Sequence, residues 1–279
     1  MPVDVICEKG RFDIAVLPQI AAALERLKMR LYNQLDRWSL PAAARVATVC
    51  GAFKHLLESR GVDASRITVR HNAIRPFDPI CAERVEAVRR ALGCDASTPV
   101  LLMVSRLSHE KGHVDFLEAL ALLKHRGVNC HALIVGEGPE RGRIERSLRR
   151  LRLIDAVTLV GQQNDVRPYF AVATLYVMPS HSEGSPLALL QAMAARVPAV
   201  ASNAGGVPEI VTSGRHALLV PARAPQALAD AIEHLLRNPQ EGARLAENAL
   251  LETNRFMGEE YHRGLVGIYQ RVLDQSPGT

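Results

Sequence analysis

The stretch SHSEGSPLALLQAMAARVPAVASNAGGVPE, residues 180–209, decides the fold. It reads as the end of a strand, an acidic loop with a glycine, a helix, a second short strand, and a glycine loop ending at Glu209. Pro186 suits the first turn of the helix, because it has no amide to leave unpaired and its φ is preset; Ser185 stands where a cap belongs. Strand, helix and strand in this order imply parallel pairing, so the two loops lie side by side at the carboxyl edge of a sheet.

The same alternation continues on either side. Strands are expected at 100–105, 132–136, 157–161, 175–179, 199–202 and 217–220, with helices at 82–92, 112–126, 139–151, 165–171, 186–196 and 207–213. Alternating elements of these lengths make an open parallel sheet covered on both faces, an α/β domain of Rossmann-like type over residues 82–279 that ends in further helices. Ahead of it, 45–49, 52–59 and 67–70 read as a second β-α-β unit, and the prolines at 76 and 79 mark a linker over 75–81. Residues 1–74 are expected to be a partial α/β domain, since about 75 residues are roughly half of what a doubly wound domain uses. Within them, 13–17 reads as a strand. Leu24, Leu27, Leu31, Leu35 and Trp38 step by three and four, as on a helix that either docks on a core or lies on a membrane surface.

Composition narrows the class. The chain has 279 residues, 48% hydrophobic and 23% charged, as expected of a globular protein with a substantial core. No apolar run reaches the ~18–20 residues that span a bilayer, and Asp4 and Glu8 stand where a signal peptide would be basic then apolar. Five cysteines without a CxxC pair fit reduced thiols, so a cytoplasmic protein is expected. The net charge of +5 favours anionic partners such as phosphates, without the basic excess of a nucleic-acid binder. Arg141, Arg143, Arg146, Arg149, Arg150 and Arg152 on one helix form a face that is either solvated or set against an acidic lipid surface.

Every chemical motif falls at a strand's carboxyl end. After 100–105 come Arg106 and Lys111, a fork-shaped guanidinium and a point-charge ammonium on one loop that can share a diphosphate. His109 to His113 spell HExxH, but Gly112 and the strand-to-helix turn break the continuous helix that zinc ligation needs. Gly136 begins a tight turn after 132–136, with Pro139 expected at the first helical position; Gly161 ends the next strand. In the opening stretch, the amides after Gly184, at Ser185, Leu187 and Ala188, face the loop of Glu183 and suit a phosphate. Gln191 lies one turn after Leu187, with its amide leaning back toward the same place.

Together these motifs resemble the donor-binding domain of retaining GT-B glycosyltransferases of family GT4. They are S-x-x-E-G-x-P-x-x-L-L-x-A-M-A with its V-P-A-V-A-S-x-x-G-G-V-P-E-I-V sequel, S-R-L-S-x-E-K-G at 105–112, V-G-E-G-P-E-R at 135–141 and L-L-V-P at 218–221. The resemblance runs from about Met29 to Val272, and before the linker residues 30–38 and 71–74 resemble the end of the family's acceptor-side domain. It implies transfer of a hexose from UDP-sugar or GDP-sugar to a glycan or lipid-linked acceptor, with retention, in the cytoplasm or at the inner face of the membrane. Arg106 and Lys111 would hold the diphosphate and Glu183 the sugar. Gly184, Ser185, Pro186 and Leu187 would grip the distal phosphate and Gln191 the ribose. Gly136, Gly161, Gly205, Gly206 and Glu209 would wall the donor. No cofactor or metal is implied, and no DxD triplet occurs in the chain.

Two departures bear on this expectation. The family's second acidic residue in E-x7-E is Gln191 here, and an amide offers the ribose one acceptor where a carboxylate offers two oxygens. The family's glycine-rich N-terminal loop has no counterpart in residues 1–28. A chain that binds nucleotide sugar without turning it over, as a remnant or partner subunit, is therefore the alternative reading.

Overall fold

A computed structural model describes residue 40, residue 43, residues 45–75, 80–91, 93 and 97–275. The strand at 13–17, the helix over 18–40 and the prolines at 76 and 79 lie outside the described residues.

Six strands form one parallel sheet: β3 (Val100–Val104), β4 (His131–Val135), β5 (Val157–Gly161), β6 (Leu175–Met178), β7 (Ala199–Ser202) and β8 (Leu218–Val220). Their order is β5-β4-β3-β6-β7-β8. Leu101 and Met103 join one buried cluster, while Val100 and Leu102 join another, so the period of two sends alternate side chains to opposite faces. Phe116, Leu117 and Leu120 of a helix at His113–His125 and Leu228, Ile232 and Leu235 of a helix at Pro225–Arg237 cover the first face. Phe170, Leu189, Leu190 and Met193, from helices at Arg167–Val172 and Leu187–Ala194, cover the second. Burial on both faces explains why these strands are nearly continuous apolar runs.

A separate two-stranded parallel sheet precedes it, β1 (Val46–Thr48) and β2 (Ile67–Val69), joined by α1 (Gly51–Ser59). The remaining helices are α2 (Ala82–Ala91), α3 (His113–His125), α4 (Arg141–Arg150), α5 (Arg167–Val172), α6 (Leu187–Ala194), α7 (Val207–Ile210), α8 (Pro225–Arg237), α9 (Pro239–Glu252) and α10 (Gly258–Gln275).

Several helix ends differ from the sequence reading by one or two residues or more, and three of them have a visible cause. Pro186 is extended (φ −71°, ψ 109°) and precedes α6, and Ser185 does not cap it because its hydroxyl is used elsewhere. Pro139 lies in the turn before α4: the amide of Glu140 donates to the carbonyl of Leu107, which holds the chain out of the helix for two further residues. The helix expected at 207–213 is one turn long, since Val211 is extended and Ser213 bridges to Ala217.

The β1-α1-β2 unit rests on the carboxyl edge of the large sheet. Asn72 donates through its backbone N–H to Oγ of Ser185 (2.8 Å) and through Nδ2 to the Ser185 carbonyl (2.7 Å). Both carboxylate oxygens of Glu209 accept from the amide of Gly51 (2.8 and 2.9 Å). Cys50 supplies no side-chain cap to α1, so Glu209 satisfies that amide and sets a negative charge at the positive end of the helix. The α10 side closes the unit: Arg70 donates to the Tyr261 carbonyl, and Ile74 N–H to that of Phe256.

Removing the Glu209 carboxylate should therefore loosen α1 in particular. For Glu209→Ala, a lost charged cap of about 1–2 kcal/mol predicts roughly tenfold faster amide exchange across residues 51–59, with the six-stranded sheet unchanged. Hydrogen exchange read by mass spectrometry checks this; equal acceleration in both regions would show that the carboxylate supports the whole chain instead.

Candidate active site

The strand order reverses between β3 and β6, because β4 and β5 are laid down on one side of β3, and β6, β7 and β8 on the other. The loops leaving β3 and β6 consequently part, and a crevice opens at their carboxyl ends. Lys111 stands on the first loop and Glu183 on the second.

The two meet. Nζ of Lys111 lies 2.8 Å from Oε1 and 3.0 Å from Oε2 of Glu183. Glu183 is only 8% exposed and Lys111 24%, so the pair is partly withdrawn from water and its attraction is less screened than that of a surface pair. Ser180, fully buried at the end of β6, donates from Oγ to Oε1 of Glu183 at 2.6 Å. Tyr176 lies beneath: burial, with the charge of Glu183 added, pushes its phenol up, so it stays protonated.

Backbone packing fixes both loops. Gly112 (φ +71°) approaches so closely that a Cβ would lie 2.0 Å from the Pro179 carbonyl oxygen. Gly205 (φ +56°) is in the same position against the Glu183 carbonyl oxygen, at 1.9 Å, and the amide of Gly206 donates to that oxygen at 3.0 Å. Gly136 meets Ser105 likewise, and Gly184 and Gly206 face Val49 and Cys50 of the smaller unit.

The structure thus brings Lys111, Glu183, Gly184, Ser185, Gly205 and Gly206 together. Arg106 stands exposed on the loop of Lys111, and Leu187 is exposed at the start of α6. The amides of Leu187 and Ala188 make no backbone hydrogen bond among the described residues, as befits a first turn; the ladder begins with Leu189 and Leu190 donating to Pro186. Gln191 is half-buried on α6. Gly136, just beyond β4, and Gly161, the last residue of β5, bridge each other on the side of β3 opposite Glu183. Glu209 accepts from the amide of Gly51, with His71 Nε2 at 3.6 Å. Sequence reasoning missed Ser180 as the partner of Glu183, although its spacing of three was in view. It also missed Asn72 as the partner of Ser185, for which a separation of 113 residues leaves no local signal.

The HExxH letters do not form a ligand set. His109–Lys111 is a 3₁₀ turn, Gly112 interrupts it in the left-handed region, and α3 starts at His113. Glu110 accepts a hydrogen bond from Ser108, which holds its carboxyl below the usual range, and His113 is buried against Ser105. Among the described residues no group of His, Cys, Asp and Glu is arranged to hold a metal ion. No helix among them is long and apolar enough to cross a membrane.

Comparison with known proteins gives the same family as the motifs. The profile described as "Glycosyl transferases group 1" matches residues 85–251. The chain is 33% identical over 194 residues to an alpha-D-kanosaminyltransferase from Streptomyces kanamyceticus, covering 68% of this chain and 50% of that protein. It thus spans about half the length of that relative. Among solved structures it is similar to sucrose-phosphate synthase from Thermosynechococcus elongatus, with TM-score 0.76 and 27% identity over 87% of this chain and 62% of that one. It is also similar in fold to HepE from Anabaena in complex with UDP, with TM-score 0.73 and 24% identity over 82% of this chain and 64% of that one.

His113 yields a prediction about pH. Burial lowers its pKa from 6.5 to about 4. Below 6.5 the unfolded chain takes up a proton that the folded one refuses, so the stability from the neutral ring is complete above pH 6.5 and is lost as pH falls toward 4. Urea unfolding should show about 3 kcal/mol less stability at pH 4 than at pH 7 from this group, and His113→Gln should flatten that slope. An identical slope in the variant would place the acid sensitivity elsewhere. A second test concerns the ion pair. Lys111→Met should cost about 3 kcal/mol by leaving a buried carboxylate alone, and adding Glu183→Gln should recover most of it; simple additivity would show the pair is not coupled.

Proposed function

Because the chain belongs to the glycosyl transferases group 1 family, we propose that it transfers a hexose from a UDP- or GDP-linked donor to a glycan or lipid-linked acceptor, with retention of anomeric configuration. The observation that carries this reading is the Lys111–Glu183 pair at the point where the strand order reverses, beside the open amides of α6. HepE, similar in fold, is in complex with UDP.

In this reading Lys111 shares its three N–H donors between Glu183 and the donor diphosphate, and exposed Arg106 meets the same phosphates. Glu183, fixed by Ser180, accepts from the sugar hydroxyls. The amides of Leu187 and Ala188 hold the distal phosphate, and Gln191 meets the ribose. As the sugar–phosphate bond breaks, negative charge grows on the leaving diphosphate, and donors already in place stabilise it without reorganising. The nucleophile attacks on the face the diphosphate leaves, and a leaving phosphate oxygen takes its proton. With cationic side chains meeting that charge, no metal is needed. The reaction belongs to the cytoplasm, at the inner membrane face for a lipid-linked acceptor, where exposed Arg146, Arg149, Arg150 and Arg152 can meet acidic headgroups.

Gln191 supports a second reading, binding without transfer, since it replaces the family's carboxylate. Radiolabelled donors with a panel of acceptors decide between the two: sugar transfer supports the first, tight binding without transfer or hydrolysis the second. Absence of binding to any nucleoside diphosphate by calorimetry refutes both. If Gln191 meets the ribose, Gln191→Glu should tighten donor binding about five- to thirtyfold, the worth of one hydrogen bond of about 1–2 kcal/mol. Unchanged affinity would remove the ribose assignment.

A further inference from the structure

Lys111 and Glu183 lie on loops that belong to different strands, and one further pair of residues ties those loops together. His181 stands two residues before Glu183, and Asp115 stands four residues after Lys111 in the first turn of α3. Nε2 of His181 lies 2.6 Å from Oδ2 of Asp115, and the side chains are only 12% and 18% exposed. The backbone N–H of His181 donates to the carbonyl of Glu110 at 2.7 Å. The ring of His109 stands edge-on to that of His181 at 5.4 Å. The two loops are therefore joined on both sides of Lys111, at Glu110 and at Asp115.

The other ring nitrogen of His181, Nδ1, is buried without a hydrogen-bond partner. Nε2 is thus the ring's one tether among the described residues, and at that distance from a carboxylate it carries the proton. The tether has a geometric consequence. Lys111 has a flexible four-carbon stem, so the Lys111–Glu183 pair can follow a shift of either loop and does not itself set their spacing. A short contact between two mostly buried side chains adds to the backbone bond from His181 to Glu110 in setting it.

We propose that His181 and Asp115 are positioning residues that fix the spacing between the phosphate-holding and sugar-holding loops. They thereby hold Glu183 in place for the sugar and favour a nucleotide sugar, which uses that carboxylate, over a bare nucleoside diphosphate, which the donors of both loops hold without it. The proposal rests on the donor-site reading given above. Orientation of this kind is lost when a reactant's two ends are no longer held at one separation.

Calorimetry on the whole chain tests it. The unsubstituted chain is titrated with UDP, GDP, UDP-glucose, UDP-N-acetylglucosamine and GDP-mannose, and the tightest sugar nucleotide is compared with its own nucleoside diphosphate. In His181→Ala and in Asp115→Asn, the preference for the sugar nucleotide should fall about tenfold, while affinity for the diphosphate changes less than about threefold. The double variant should lose no more than either single one, and His181→Gln, whose Nε2 can still donate to Asp115, should restore most of the preference. Asp115→Asn preserves shape and serves if His181→Ala does not fold. Equal weakening of both ligands, or no change in the ratio, overturns the proposal. If the unsubstituted chain binds none of the five, the donor-site reading fails, and this proposal falls with it.

Discussion

A parallel sheet built outward from its middle strand leaves a gap where the chain changes direction, and the Lys111–Glu183 ion pair bridges that gap. Its neighbours follow from its cost. A carboxylate as buried as Glu183 needs a counter-charge and hydrogen bonds to replace lost water, and it has Lys111 on one side and Ser180 on the other. With both partners in place the charge is held in a defined position, which a solvated side chain on a free loop would not be. That position is also where the amides opening α6 have no internal partner, so two unsatisfied electrostatic demands lie at one place.

The pair would not be fixed without the backbone around it. Close approaches at Gly136, Gly112 and Gly205 lace four successive loops along the carboxyl edge, each leaving no room for a Cβ. This is why glycine recurs at and after the strand ends. The small β1-α1-β2 unit is set by the same edge: Ser185 and Glu209, which follow β6 and β7, are bonded to Asn72 and Gly51. The polar groups that flank the crevice thus have divided duties, some turned toward open space and others holding the unit that rests above it.

The strands and their parallel pairing were legible in the sequence because burial on both faces writes them as apolar runs ended by glycine and proline. Lys111 and Glu183 were legible because a charged residue just beyond a strand end stands out against such runs. What could not be read depends on distant chain. Ser185 has the composition of a cap, but a capping hydroxyl can be claimed by any nearby donor, and Asn72 claims it. Glu209 reads as part of the crevice wall, and only the fold shows that its carboxylate also takes the open amide of α1. Pro139 reads as a first helical residue by local rules, which contain no term for the Leu107 carbonyl that captures the next amide.

Gln191 is best understood through charge. In the proposed reading the crevice receives a diphosphate bearing several negative charges, opposed by Arg106, Lys111 and the dipole of α6. Glu183 already offsets one of those positive charges from within hydrogen-bonding distance. A second carboxylate on α6 would add a negative charge to a site proposed to receive phosphates, and like charges repel. An amide at 191 gives up an acceptor for the ribose but leaves the field for the phosphates intact. In that reading the amide weakens the hold on the ribose, as the gain expected for Gln191→Glu expresses, while sparing the diphosphate a like charge. On this argument Gln191 is compatible with a working donor site whose hold on the leaving group is undiminished, and the group that must be stabilised during transfer is the leaving diphosphate, not the ribose.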